Sequence, residues 1–120
     1  MKNFTIEFYE KSDGSCPVRD FLLSLSTKVE TRLTSLIDLL EERGNQLREP
    51  YSKYLEDGIF ELRYQNDKQP VRVLFFFYYE KRIILTNGFI KKTRKTPRKE
   101  IKKAQDYRKD FFKGVNNDNV

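Results

Sequence analysis

Three runs, Ile59 to Tyr64, Val71 to Tyr79 and Arg82 to Ile90, carry the β-branched and aromatic residues of strands, and only six and two residues separate them. Connections this short predict an antiparallel meander. A fourth strand-like stretch lies near the start, where Phe4, Ile6 and Phe8 alternate with Thr5, Glu7 and Tyr9 in the period of a half-buried strand. Between it and the meander the period changes to helical. Pro17 suits the first position of a helix whose Val18, Phe21, Leu22 and Leu25 share one side. After it, Thr27-Lys28-Val29-Glu30 has the spacing of a capping box, opening a second helix with an apolar stripe of Val29, Leu33, Leu36, Ile37 and Leu40 and with Gly44 as its C-terminal cap. The two helices are expected to form a hairpin. Residues 45–56 show no clear period and contain Pro50, and are read as a loop. Thr96-Pro97 supplies a cap and first residue for a last helix running to about Phe112, with Glu100 in its first turn. That helix has a narrow apolar stripe of Ile101, Ala104 and Phe111, so it is held weakly or borrows a partner.

The chain of 120 residues fits one domain, placed at 1–113, and residues 114–120 carry no core-forming pattern and are expected to be frayed. Ten Phe and seven Tyr supply the core, each able to bury on the order of 150–250 Å². Cys16 is the single cysteine and His is absent. An intrachain disulfide and a cysteine-based zinc site are thereby excluded, and any chemistry must run on Lys, Arg, Tyr, Glu or Asp. No cofactor or metal is expected. A reducing cytoplasm suits this cysteine usage; the start lacks a signal-peptide pattern and no stretch approaches the roughly 18 apolar residues of a membrane span.

Charge is unevenly placed. From Lys81 to Lys113 there are 13 Lys or Arg against three Asp or Glu, a net +10, which leaves −4 on everything before it. A localised basic face is the footprint of a polyanion, nucleic acid first, because each phosphate neutralised releases condensed counterions. Within the meander, Glu61 and Arg63 fall on one face of their strand and Phe60, Leu62 and Tyr64 on the other, the apolar set facing the helices. The two charges form either a structural ion pair or part of a site. Arg72 interrupts a strand otherwise apolar or aromatic to Tyr79; it either snorkels to water at the strand end or clamps a phosphate. After the last strand, Lys91, Lys92, Arg94 and Lys95 form a cationic loop. It is either a solvated charge run or, aimed at the space of Arg72 and Arg63, part of a site. Arg98, Lys99, Lys102 and Lys103 lie on a helix surface suited to tracking a phosphate backbone.

Gly58-Ile59-Phe60-Glu61-Leu62-Arg63, Val71-Arg72-Val73-Leu74 and Phe89-Ile90-Lys91-Lys92-Thr93-Arg94-Lys95-Thr96-Pro97-Arg98-Lys99-Glu100-Ile101 together resemble the RelE/ParE toxin superfamily, in particular its phage-derived HigB-like branch. The likeness spans roughly residues 53–107, with Pro17-Val18 and Phe21-Leu22 echoing the branch's early helix start. It implies an α+β, RelE-like fold of order β-α-α-β-β-β-α, a small mainly antiparallel sheet packed on a helical hairpin, with a basic C-terminal helix. It also implies a type II toxin that enters the ribosomal A site and cleaves mRNA through 2′-hydroxyl attack, restrained by a HigA-like helix-turn-helix antitoxin. By the same resemblance Arg72 contacts the scissile phosphate, Lys91 or Lys92 stabilises charge or protonates the leaving oxygen, and Arg63 is the arginine of the E-L-R motif. The general base is either Glu61 or absent, and Tyr107 is the candidate for the tyrosine that some relatives carry on the last helix. A non-catalytic reading, a ParE-like gyrase inhibitor or a nucleic-acid-binding module, shares the same fold.

Overall fold

The computed structural model describes residues 3–65 and 69–118. The chain runs β1 (Thr5–Phe8), α1 (Pro17–Ser24), α2 (Thr27–Arg43), a 3-10 turn (Gly44–Gln46), β2 (Ser52–Glu56), β3 (Ile59–Tyr64), β4 (Val71–Tyr78), β5 (Arg82–Ile90) and α3 (Arg98–Asp118). The strands form one sheet of order β1-β5-β4-β3-β2. From β2 to β5 it is an antiparallel meander, and β1 pairs parallel to β5 at the far edge. Among the described residues no helix is long and apolar enough to cross a membrane.

The expected α+β fold is present, with a mostly antiparallel sheet and both N-terminal helices on one face. α1 lies across β5 and α2 across β3. Val18, Leu33, Leu40, Leu62, Val73 and Phe75 are buried between these layers. The sheet's other face packs on α3, where Ile59, Leu74, Phe76, Ile84 and Ala104 are buried. β4 is therefore covered on both sides and is closed to solvent from Val71 to Phe76, which accounts for its near-continuous apolar run. Complete burial of each such side chain contributes about 1.5–3 kcal/mol before entropy is counted.

One strand escaped the sequence pattern. Residues 52–56 are β2, paired with β3 in the register Lys53↔Glu61 and Tyr54↔Phe60, where a loop was expected. An edge strand shows little alternation because its outer side faces water, and here Lys53 and Tyr54 are both exposed. The missed signal was the turn. Asp57 and Gly58 both have positive φ, 51° and 75°, as a two-residue hairpin of the primed type requires, and Asp-Gly is its commonest sequence.

Smaller departures have local causes. The cap of α2 is Ser26, whose hydroxyl accepts from the Val29 N–H at 3.3 Å, so Thr27 is the first helical residue instead of the cap. Gly44 does close α2 with φ +53°. The Pro97 carbonyl accepts the first bonds of α3, from the Glu100 and Ile101 N–H groups, and the Thr96 hydroxyl is used elsewhere. α3 continues to Asp118, past the expected end near Phe112 and through the start of the expected frayed tail; Gly114 lacks the positive φ that would stop it. Residues 119 and 120 lie outside the described residues.

Candidate functional site

The pleat places Glu61 and Arg63 of β3 on the α3 side of the sheet, opposite Phe60, Leu62 and Tyr64, which pack toward α2. In the adjoining strands the same side receives Lys53, which is paired in register with Glu61, and Arg72, which is paired with Arg63. Lys91 follows directly on β5, its N–H bonded to the Pro70 carbonyl at 2.8 Å. α3 leaves this end of the face open because it starts only at Arg98, beyond the loop from Lys91 to Pro97. The result is a cleft of about 430 Å³ whose lining includes Lys53, Glu61, Lys91, Arg94, Lys95 and Thr96.

Glu61 is the hub of this cluster. It is 1% exposed, and one carboxylate oxygen lies 3.5 Å from the Arg63 Nε and 3.6 Å from the Arg72 Nε. The other oxygen accepts the Thr96 hydroxyl at 2.5 Å. Neither Nε group completes a hydrogen bond, although both are buried. The attraction is thus ionic, with donor capacity held in reserve.

Arg72 neither snorkels nor reaches into the cleft. Only 2% exposed, it donates through Nη1 to the Val71 carbonyl at 2.9 Å and through Nη2 to the Gln65 carboxamide oxygen at 2.7 Å. Burial lowers its affinity for its proton, Glu61 opposes that and Arg63 reinforces it. A guanidinium stays charged even so. Its Nη1 and Nη2 each donate to protein, while its Nε makes no hydrogen bond. Of the alternatives for Arg72, snorkelling to water gives way to a buried cation.

Lys91 is half-buried, and its ammonium is pushed below the ordinary lysine value, first by burial and then by Arg72 beside it, with Arg63 and Lys53 adding and Glu61 opposing. A lysine so placed gives up a proton more readily than a free one. Lys92 is exposed and lines an open cleft together with Lys91, Arg94, Gln69, Pro70 and Thr93. Lys91 and Arg94 thus line this cleft as well as the one at Glu61.

The other expected cations lie on the loop and on α3. Arg94 and Lys95 are exposed on the loop, and the Thr93 hydroxyl donates to the Lys95 carbonyl at 2.7 Å, which shapes it. On α3, Arg98 pairs with Glu56, Lys102 with Asp106 at 2.6 Å, and Lys103 with Glu100 at 3.7 Å. Lys99 is exposed and makes no ion pair among the described residues. Much of the helix's positive charge is therefore answered within the molecule. Tyr107 stacks on Tyr9, ring centroids 4.8 Å apart, nine residues along α3 from Arg98 or about 13 Å at the helical rise. That stacking places it apart from the Lys91 cleft. Lys53 was missed because its stretch was read as a loop; the Asp57-Gly58 turn would have placed it opposite Glu61.

Glu100 and Asn87 hold the α3 start in place. The Asn87 amide donates to the Glu100 carbonyl and carboxylate at 3.2 and 3.1 Å, and the Thr86 hydroxyl lies 2.7 Å from the Asn87 side-chain oxygen. All three residues are buried.

The model of one protein family, described as Phage derived protein Gp49-like (DUF891), matches residues 20–109, three quarters of the chain. The matched stretch contains every residue of the cleft. No curated protein matches.

Proposed function

The chain belongs to the Gp49-like family of phage-derived proteins, and from that we propose that it is the toxin of a type II toxin–antitoxin pair, an endoribonuclease that cuts mRNA on the ribosome. The observation that carries this reading is the gathering of Lys53, Arg63, Arg72 and Lys91 around a single buried carboxylate at the open end of one sheet face. The resemblance of these strands and their loop to RelE and HigB-like toxins supports the same reading. Its partners are then the translating ribosome, the message in its A site, and a helix-turn-helix antitoxin that keeps the toxin inactive in the cytoplasm.

The chemistry is transesterification within the RNA. The 2′-oxygen bonds to the adjacent phosphorus, the bond from phosphorus to the 5′-oxygen breaks, and the products are a 2′,3′-cyclic phosphate and a 5′-hydroxyl. Negative charge builds on the non-bridging oxygens as this happens. Lys53 and Lys91 face that charge directly, while Arg72 acts through its field and Arg63 is held by Glu61. The Lys91 ammonium gives its proton to the departing 5′-oxygen. Glu61 is too enclosed and too fully engaged to serve as base, so the 2′-proton leaves to water. Thr96 and Glu61 are positioning residues.

The burial of Arg72 favours one second reading, in which the same cations grip a polyanion, or a gyrase, without cutting anything. Translating ribosomes supplied with the pure chain distinguish the two. Primer extension should reveal codon-phased cuts with the wild type and at least 100-fold fewer with Lys91→Ala. Intact messages with the wild-type chain would remove the nuclease reading.

A further inference from the structure

A second hollow, of about 470 Å³, opens between α2 and the β2–β3 edge, and Arg63 lines it as well as belonging to the charge cluster. Its size lies within the roughly 300–1,000 Å³ of small-ligand sites. We propose that this hollow receives a nucleobase of single-stranded RNA flanking the phosphate held in the cleft. The proposal rests on the nuclease reading for its setting, although the binding it describes does not need cleavage.

Three features give the hollow this chemistry. Its walls offer the rings of Tyr51 and Tyr64, and Tyr51 is 47% exposed, so an aromatic face is available for stacking. Arg32, exposed and without an ion pair among the described residues, lines it from α2 and can supply positive charge for a phosphate beside a stacked base. A docking site for an apolar protein segment would not require a guanidinium there.

Gln65 supplies the third. An arginine can only donate, so the contact from Arg72 Nη2 fixes the oxygen of the Gln65 carboxamide toward Arg72 and turns its NH₂ group outward. Gln65 lines the hollow and is exposed, and its amide donors make no hydrogen bond among the described residues. Donors held in a set direction beside an aromatic ring suit a base edge with a carbonyl oxygen. Arg72 thus joins the two sites, holding Glu61 at one end and aiming Gln65 at the other.

The test is a double-mutant cycle on binding to the full chain. The probe is a 2′-O-methyl tetranucleotide, which cannot cleave itself, compared with the same strand carrying one abasic position. Loss of the base should weaken binding to the wild type about tenfold. With Tyr51→Ala it should make less than a twofold difference, and Tyr51→Phe should behave as the wild type because the ring is kept. Thermal unfolding of each variant, expected unchanged at this half-exposed position, separates lost stacking from lost fold. An equal effect of the abasic position in wild type and Tyr51→Ala overturns the proposal, as does a wild-type chain that binds none of the strands at millimolar concentration. If Tyr51→Ala instead weakens only the hold of the antitoxin, the hollow belongs to a protein partner and the proposal again falls. An intact binding cycle alongside uncut messages would discard the nuclease reading and keep the base pocket.

Discussion

At the level of single residues, the cluster turns on Glu61, which balances two guanidinium groups where water scarcely reaches. Breaking a buried ion pair from one side costs more than the pair itself contributes, because the remaining charges stay buried without their counterion. Glu61→Gln should therefore lower the unfolding free energy by about 3 kcal/mol in urea denaturation, while Lys91→Ala, which relieves crowded positive charge, should not destabilise the fold. An equal loss for both variants would show that Glu61 is not the hub. Lys91 makes a separate prediction on pH. If it is the general acid proposed above it works protonated, and its folded-state pKa is lowered by burial and by Arg72, so cleavage should fall as pH rises through a value below the free-lysine 10.5. Lys91→Arg should remove that alkaline fall while leaving reduced activity. A pH–rate profile of kcat/KM identical in the two proteins would reassign the proton donor.

Among the elements, the two helical layers are attached to the sheet by different means. α1 meets β5 through close approach: a Cβ built on Gly88 would stand 2.2 Å from the Phe21 ring. Gly88 lies on β5 without a positive φ, so the demand is for space alone. Gly88→Ala should cost about 1–3 kcal/mol of stability, read from the shift in denaturation midpoint at unchanged slope. Phe21→Leu in the same chain should restore part of it. α3 has a narrow apolar stripe and is tied down at its sides. Arg98 meets Glu56, Arg108 meets Asp57 at 2.6 Å, and the Tyr9 hydroxyl donates to Asp110 at 2.5 Å. Burial and the Asp110 carboxylate push the Tyr9 phenol well above its ordinary pKa, so this last tie persists through the neutral range. Such polar ties hold the loop ahead of α3, and with it Lys91, in register with β3.

For the molecule as a whole, several of the cations that make up the net charge of +6 are answered by ion pairs, among them Arg98, Lys102, Lys103 and Arg108. Six cations without an ion pair among the described residues, Lys53, Lys91, Lys92, Arg94, Lys95 and Lys99, lie on β2, the loop after β5 and the start of α3, while others such as Lys28, Arg43, Lys109 and Lys113 lie elsewhere. If all six meet phosphates of a single strand, log K should fall against log salt with a slope of about −4. Replacing Lys95 by Ala should reduce that slope by about 0.7, whereas Lys102→Ala, which removes a side chain already paired with Asp106, should leave it nearly unchanged. Binding titrations at several salt concentrations measure both. Equal changes would mean that the α3 surface and the loop grip the strand alike.

The sequence by itself determined the class of fold, the bounds of β3 and β5, and the separation of charged from apolar sides on β3, because each follows from periods of two or 3.6 residues that local sterics enforce. It also set Glu61 and Arg63 on one face of β3 and marked Arg72 as a charge within an otherwise apolar strand, leaving a structural and a site role open for each. Only the tertiary structure decided which partners they have. The edge strand bringing Lys53 beside Glu61 shows no period of its own, as one side of it is solvated. The half-burial of Lys91 beside exposed Lys92, the pairing of the α3 cations and the enclosure of Arg72 depend on which side chains meet across the sheet. Those meetings are fixed by packing between residues far apart in the chain, where neighbouring letters carry no record of them.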